Sequence, residues 1–306
     1  MGGLTRRRDP ETPRGSAPAH ASELAYAAGA TRRFGELLAV DDVHLTVAGG
    51  EVVGLVGANG SGKTTLIRML LGLLPPTAGR IRLFGEPPSR RTRARLGYVP
   101  QSLGLYEDLT VAENSAFSAA AYGSRHAVLE GDLAEVGDVL VRDLPLGLRR
   151  RAAFAIALSH HPELLVLDEP TSGVDPLQRA RLWETIRASA EQGAGALVTT
   201  HHLAEAEQCD RLVVLAAGRV AAAGTPDEIV GDTTAAEVRT PAWEAAFTAL
   251  DRAGLPVSLV GRTLRVPGAD PAEVDRLLAD AGVPAEVASV RASFEETFVA
   301  LATERS

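Results

Sequence analysis

At 306 residues the chain can bury a large core, with room for one sizeable domain and a smaller one. A composition of 45% hydrophobic and 23% charged residues is that of a globular protein, and the net charge of −8 argues against nucleic acid as a partner, because binders of phosphate backbones carry clustered positive charge. The lone cysteine, Cys209, excludes an intrachain disulfide and fits a reducing compartment, while no apolar run approaches the roughly 18 to 20 residues that cross a bilayer and no charged-then-apolar leader opens the sequence.

In chain order, residues 1–22 are rich in Arg, Pro, Gly, Ser and Thr, lack apolar periodicity and read as a disordered tail. Within it, Arg6-Arg7-Arg8 has too few charges for lipid attachment and reads as solvated. From about 23 to 230, short apolar runs alternate with helical stretches, which predicts a mainly parallel sheet with crossover helices. The clearest strands are Val52–Val56 and residues 164–167, 196–199 and 212–215. All are unbroken apolar runs, as strands buried on both faces should be.

The first strand leads into Gly57-Ala58-Asn59-Gly60-Ser61-Gly62-Lys63-Thr64, and good helix formers follow from Thr65. This is the strand–loop–helix setting of a P-loop. Its glycines let backbone N–H groups turn toward phosphates, and the helix dipole adds to them. Lys63 would meet the β- and γ-phosphates of ATP, and the Thr64 hydroxyl would ligate Mg²⁺. The strand over residues 164–167 ends in Asp168-Glu169, which puts two carboxylates where α/β sheets bind ligands. Asp168 would hold Mg²⁺ through its water shell, and Glu169 would act as general base on the attacking water.

A different texture begins near Thr233. Thr240-Pro241 predicts a helix start and Gly254 its end; Gly261-Arg262 predicts a two-residue hairpin between 257–260 and 263–266. Asp270-Pro271 to Gly282 repeats the capping pattern, and Ser293-Phe294-Glu295-Glu296 is a capping box opening a last helix. We read a small, self-contained α/β unit with no catalytic constellation.

Asp168-Glu169-Pro170-Thr171-Ser172-Gly173-Val174-Asp175-Pro176 is similar to the Walker B and D-loop segment of ABC ATPases. Gly97-Tyr98-Val99-Pro100-Gln101 resembles their Q-loop, and Thr199-Thr200-His201 their switch-histidine segment, all in the family's order. The resemblance covers residues 23 to about 230, and the extension resembles that of some exporter-type subunits. It implies an α/β P-loop NTPase core at 23–232, a helical subdomain inserted at about 102–160, and an accessory α/β domain at 233–306. It also implies that Gln101 senses Mg²⁺ and the attacking water, His201 contacts the γ-phosphate, Phe34 stacks on adenine, and Asp175 lies at a subunit interface. A core position for Phe34 stays open. His202 reads as a surface residue, and His160 and His161 as favourable charges at a helix C-terminus.

The family's signature loop, Leu-Ser-Gly-Gly-Gln, closes over ATP held by the opposite subunit. The matching stretch here is Leu144-Pro145-Leu146-Gly147-Leu148, followed by Arg149-Arg150-Arg151. The serine hydroxyl is gone, Pro145 has no N–H, and one or two lost charge-assisted hydrogen bonds would cost about 2 to 5 kcal/mol of closed-state stability. A Leu-Pro-Leu-Gly form also occurs in some exporter-like members of the family. Either a homodimer with this loop or a heterodimer with a standard loop is compatible with the sequence. Between Gln101 and Leu144 lie only 42 residues, a short helical subdomain.

The resemblance thus implies an ATP-hydrolysing subunit, cytoplasmic and peripheral on the inner membrane face, that energises a separately encoded permease for export. Two other classes share the motifs: a soluble ABC ATPase of translation or DNA maintenance, and a low-turnover nucleotide-dependent regulator. Against the former, the chain has neither a second ATPase domain nor a long coiled coil.

Overall fold

A computed structural model describes residues 23–123 and 129–303. The tail expected at 1–22, Arg6-Arg7-Arg8 included, lies outside the described residues. The described residues begin with β1 (Glu23–Phe34), β2 (Leu37–Ala48), β3 (Val52–Val56), α1 (Lys63–Leu70), β4 (Ala78–Leu83), α2 (Arg90–Arg93) and β5 (Leu96–Val99). Then come α3 (Val111–Tyr122), α4 (Asp132–Glu135), α5 (Leu146–Leu158), β6 (Leu164–Asp168), α6 (Pro176–Glu191), β7 (Gly195–Thr200), α7 (Leu203–Ala206), β8 (Arg211–Ala216), β9 (Arg219–Gly224) and α8 (Pro226–Val230). It ends with β10 (Thr234–Arg239), α9 (Trp243–Arg252), β11 (Ser258–Val260), β12 (Thr263–Pro267), α10 (Pro271–Asp280), β13 (Glu286–Arg291) and α11 (Phe294–Thr303).

The central sheet has the order β5-β6-β7-β3-β8-β9, parallel except for the β8–β9 pair. Strands β3, β6 and β7 are buried along their whole length, and the two-residue alternation divides their side chains between two cores. Val53, Leu55, Leu164 and Val166 join α1 and the three-stranded sheet β2-β1-β4. Val52, Val56, Leu165 and Leu167 face Phe154 of α5 and Leu182, Trp183 and Ile186 of α6. Each such fully buried Leu, Ile or Val contributes about 1.5 to 3 kcal/mol of transfer free energy. The antiparallel β2-β1-β4 sheet goes beyond the sequence analysis, because β1 carries several register shifts that blur the alternation of the β1–β2 hairpin, and β4 pairs with β1 from far along the chain.

Helix α3 starts at a capping box between Thr110 and Glu113. With α4 and the start of α5 it encloses a small core of Val111, Leu133, Val141, Leu144 and Ala152. His160, expected to complement a helix dipole as a cation, instead lies half-buried. Burial pushes its pKa down, which disfavours the cation; the ring stacks 4.0 Å from Tyr122 and hydrogen-bonds the Leu96 carbonyl.

Beyond Thr233 a four-stranded antiparallel sheet, β11-β12-β10-β13, has its own core beneath α9 and α10. The Gly261-Arg262 turn joins Val260 to Thr263 as expected, and Asp270 caps α10. Two expectations fail here. Helix α9 starts at Trp243 rather than at Thr240-Pro241, because the Thr240 hydroxyl accepts from the Ala242 N–H and donates to the Pro284 carbonyl, fixing a turn before the helix. Nor is the unit self-contained: α11 starts at the Ser293–Glu296 capping box, but its Phe294 is 3% exposed inside the core of the central sheet. The sequence box marks a helix start and says nothing of which core the apolar face joins.

Replacing Phe294 with Ala should therefore destabilise the central-sheet unit by about 3 to 5 kcal/mol, read as a lower urea midpoint by tryptophan fluorescence. Burial pushes the Cys209 thiol up to about 12. The native protein should resist thiol-disulfide reagents at pH 8 and react promptly once unfolded.

Candidate functional site

Four adjacent strands, β5, β6, β7 and β3, end on one side of the sheet. Their register sets Asp168 opposite Thr199, and Val56 opposite Thr200. From these ends Asn59, Gly60, Gly62, Lys63, Thr64, Thr65, Gln101 and Glu169 line one cavity of about 430 Å³, together with Phe34, Leu37 and Ala39 from the β1–β2 hairpin.

The loop between β3 and α1 owes its path to two glycines. A Cβ on Gly57 would sit 2.4 Å from the Leu215 carbonyl and 2.5 Å from Ser61 Oγ. At Gly62, φ is +104° and a Cβ would lie 2.5 Å from the Ala39 carbonyl. Lys63 Nζ donates to the carbonyls of Gly57 (2.7 Å) and Ala58 (3.0 Å), curling back over the loop. Burial holds its ammonium below the usual lysine pKa, against the opposing pull of Glu169 and Asp168. Ser61 Oγ is buried with no hydrogen-bond partner among the described residues. A curled lysine, an open helix N-terminus and an orphaned hydroxyl are what an anion of phosphate type would satisfy.

Asp168, 2% exposed, accepts from Thr199 Oγ1 on one oxygen (2.7 Å) and from Thr64 Oγ1 on the other (3.1 Å). A hydroxyl and a carboxylate this close, beside an anion site, form a donor set of hard oxygens that suits Mg²⁺ when phosphate oxygens and waters complete an octahedron. Glu169 adopts a left-handed backbone (φ +51°), uncommon for a residue with a Cβ. Two anchors hold it there. Its N–H donates to Thr199 Oγ1 (2.8 Å), and its carbonyl accepts from Arg150 Nη1 (3.0 Å), which also reaches the Pro170 carbonyl (2.9 Å). The Glu169 carboxylate meets Gln101 Nε2 at 3.1 Å and His201 Nδ1 at 3.5 Å. His202 tilts against the His201 ring at 4.2 Å and precedes α7.

Phe34 is 44% exposed, which rules out a core role, and the Arg32 guanidinium lies 4.7 Å over its ring. Residues 144–148 do not reach this cavity. Leu144 is buried among α3–α5, Pro145 precedes α5 without a side-chain cap, and Leu146 is 43% exposed beside Gly173. Gly147 and Leu148 continue the helix's first turn, with Arg149 Nε bonded to the Leu144 carbonyl (2.8 Å). Asp175 caps α6 through the N–H groups of Leu177 and Gln178.

Two residues essential to this geometry, Thr199 and Arg150, carry no role in the sequence analysis, nor does Glu205, buried outside the cavity. Thr199 opens the histidine segment Thr199-Thr200-His201, where a hydroxyl at the end of an apolar strand is a usable signal. Arg150 sits in a run of three arginines, only one of which is buried, and Glu205, on the short helix α7, is 1% exposed.

A protein-family model described as ABC transporter matches residues 40–172. The "Probable multidrug ABC transporter ATP-binding protein YbhF" of Escherichia coli (strain K12) is 39% identical over 232 residues, covering 72% of this chain and 40% of that protein. This chain thus spans about two fifths of that relative's length. The "Daunorubicin resistance ATP-binding protein DrrA3" of Streptomyces coeruleorubidus is 39% identical over 296 residues, 89% of this chain and 94% of that protein. Among solved structures, one titled "Structure of ATP binding subunit of ABC transporter" superposes with a TM-score of 0.63 at 33% identity, over 67% of this chain and 91% of that one.

Because Thr199 is fully buried and serves both Asp168 and Glu169, Thr199→Val should cost about 1 to 3 kcal/mol through unsatisfied polar groups, seen as a lower urea midpoint at unchanged slope.

Proposed function

This chain belongs to the ABC transporter family of ATP-binding proteins, and from that membership we propose that it binds and hydrolyses ATP to energise a separately encoded membrane permease in export. The observation that carries the reading is the convergence of Lys63, Thr64, Gln101 and Glu169 on one cavity, with Asp168 bonded to Thr64 at its floor. Among the described residues no helix is long and apolar enough to cross a membrane, which supports a pore made by another chain. Export is supported by the names of the relatives, a drug-resistance protein among them.

In this reading the loop N–H groups and Lys63 bind the β- and γ-phosphates, and Phe34 meets adenine at the rim. Thr64, Asp168 and Gln101 would hold Mg²⁺, which neutralises phosphate charge when bound. Glu169, locked in one backbone state by Thr199 and Arg150, takes a proton from the attacking water, and Gln101 orients that water. His201, 3.5 Å from Glu169, steadies the γ-phosphate side. A second ABC subunit completes the site, and residues 144–148 and Asp175 belong to the surface that meets it. The protein would lie on the cytoplasmic membrane face through its permease.

Glu169→Gln keeps the shape and removes the base. ATP turnover should fall at least 100-fold while ATP binding stays within about threefold and an ATP-bound dimer accumulates in gel filtration. Undiminished phosphate release by this variant would refute the assignment.

A further inference from the structure

Glu205 is a buried acid outside the nucleotide cavity, and its surroundings give it a specific task. It lies on α7, four residues after His201, with 1% of its side chain exposed. Its two carboxylate oxygens serve two different loops. Oε2 accepts from Thr200 Oγ1 at 2.9 Å, and Thr200 ends β7 immediately before His201. Oε1 accepts from Thr171 Oγ1 at 2.6 Å, two residues after Glu169. Arg179 Nε stands 3.4 Å from that same oxygen.

Each partner is tied further into its own segment. Thr200 Oγ1 also accepts from the His202 N–H (2.9 Å), which fixes the backbone around His201. The Thr171 carbonyl accepts from the Val174 N–H (3.2 Å), closing the turn toward Asp175. Arg179 sits one turn into α6, and its N–H donates to the Asp175 carbonyl (3.0 Å). A single carboxylate therefore spans the histidine segment, the turn after Glu169, and the helix that Asp175 caps. Burying this charge without partners would be strongly unfavourable; two hydroxyl donors and a guanidinium compensate it only while all three segments stay in this arrangement.

We infer that Glu205 is a positioning residue that holds the His201 segment and the Thr171-to-Asp175 segment in one register. Movement of either loop is thereby transmitted to the other. The inference rests on the ATPase reading for its functional consequence: His201 belongs to this chain's own cavity, and Asp175 to the surface facing the second subunit. The tie thus couples the two sites of a dimer. Glutamine is a poor substitute, because its amide keeps one acceptor oxygen, turns the other contact into a donor and loses the charge opposite Arg179. Aspartate is one methylene too short to reach both hydroxyls.

The test uses the full chain carrying Glu205→Gln. With ATP, kcat should fall about tenfold and the Hill coefficient should drop toward 1, while the Kd for a fluorescent ATP analogue stays within twofold. Glu205→Asp should not restore cooperativity. Independently of turnover, amide hydrogen exchange should speed up together in residues 172–175 and 201–203, with residues 57–62 unchanged. Wild-type kcat and Hill coefficient in Glu205→Gln, or faster exchange in only one of the two segments, would overturn the inference. A parallel loss of nucleotide binding and of P-loop protection would likewise overturn it in favour of a general structural role. If Glu205→Gln does not fold, Thr171→Val removes one arm of the tie and must still loosen residues 201–203. A wild-type chain without turnover would defeat the ATPase reading alone, since the paired exchange decides the tie by itself.

Discussion

The site depends on one buried hydroxyl, that of Thr199. It donates to Asp168 and accepts from the N–H of Glu169, so a single oxygen sets both the acid at the strand end and the backbone of the residue after it. In an interior of low dielectric, an unpaired carboxylate or amide at this depth would cost more than one hydrogen bond returns. The strand register therefore cannot slip by one residue without exposing that cost, because Asp168 and Thr199 are direct neighbours across β6 and β7. The left-handed Glu169 is a consequence of the same contact, with Arg150 closing it from the other side.

From that point order spreads outward along rigid elements. Arg150 joins the start of α5 to the segment after Glu169, so the helix carrying residues 144–148 is keyed to the site without touching the cavity. The altered loop keeps its form by other means than a serine cap. Leu144 anchors in the α3–α5 core, and Arg149 covers its carbonyl, while Leu146 is left facing outward. Glu205 does for the histidine segment what Arg150 does for α5, linking it to the turn that leads into α6.

Much of this was legible in the sequence. Apolar runs marked β3, β6, β7 and β8, because a strand buried on both faces keeps polar side chains to the end where the site needs them. The glycine spacing of residues 57–64 marked the phosphate loop, since a Cβ at Gly57 or Gly62 collides with backbone. Less legible was whatever depends on contacts between distant segments. The β1–β4 pairing joins residues far apart in sequence, the start of α9 was moved by a bond to Pro284, and α11 left its own unit for the central core.

The sequence by itself determined the type of chemistry and the order of its parts: a phosphate loop, two acids after a strand, a glutamine, a histidine, and a family to which they belong. Only the tertiary structure decided which neighbours give those parts their geometry. Thr199, Arg150 and Glu205 have unremarkable local contexts, and a hydroxyl, a guanidinium or a carboxylate becomes decisive only when folding removes water and leaves each with partners from other segments.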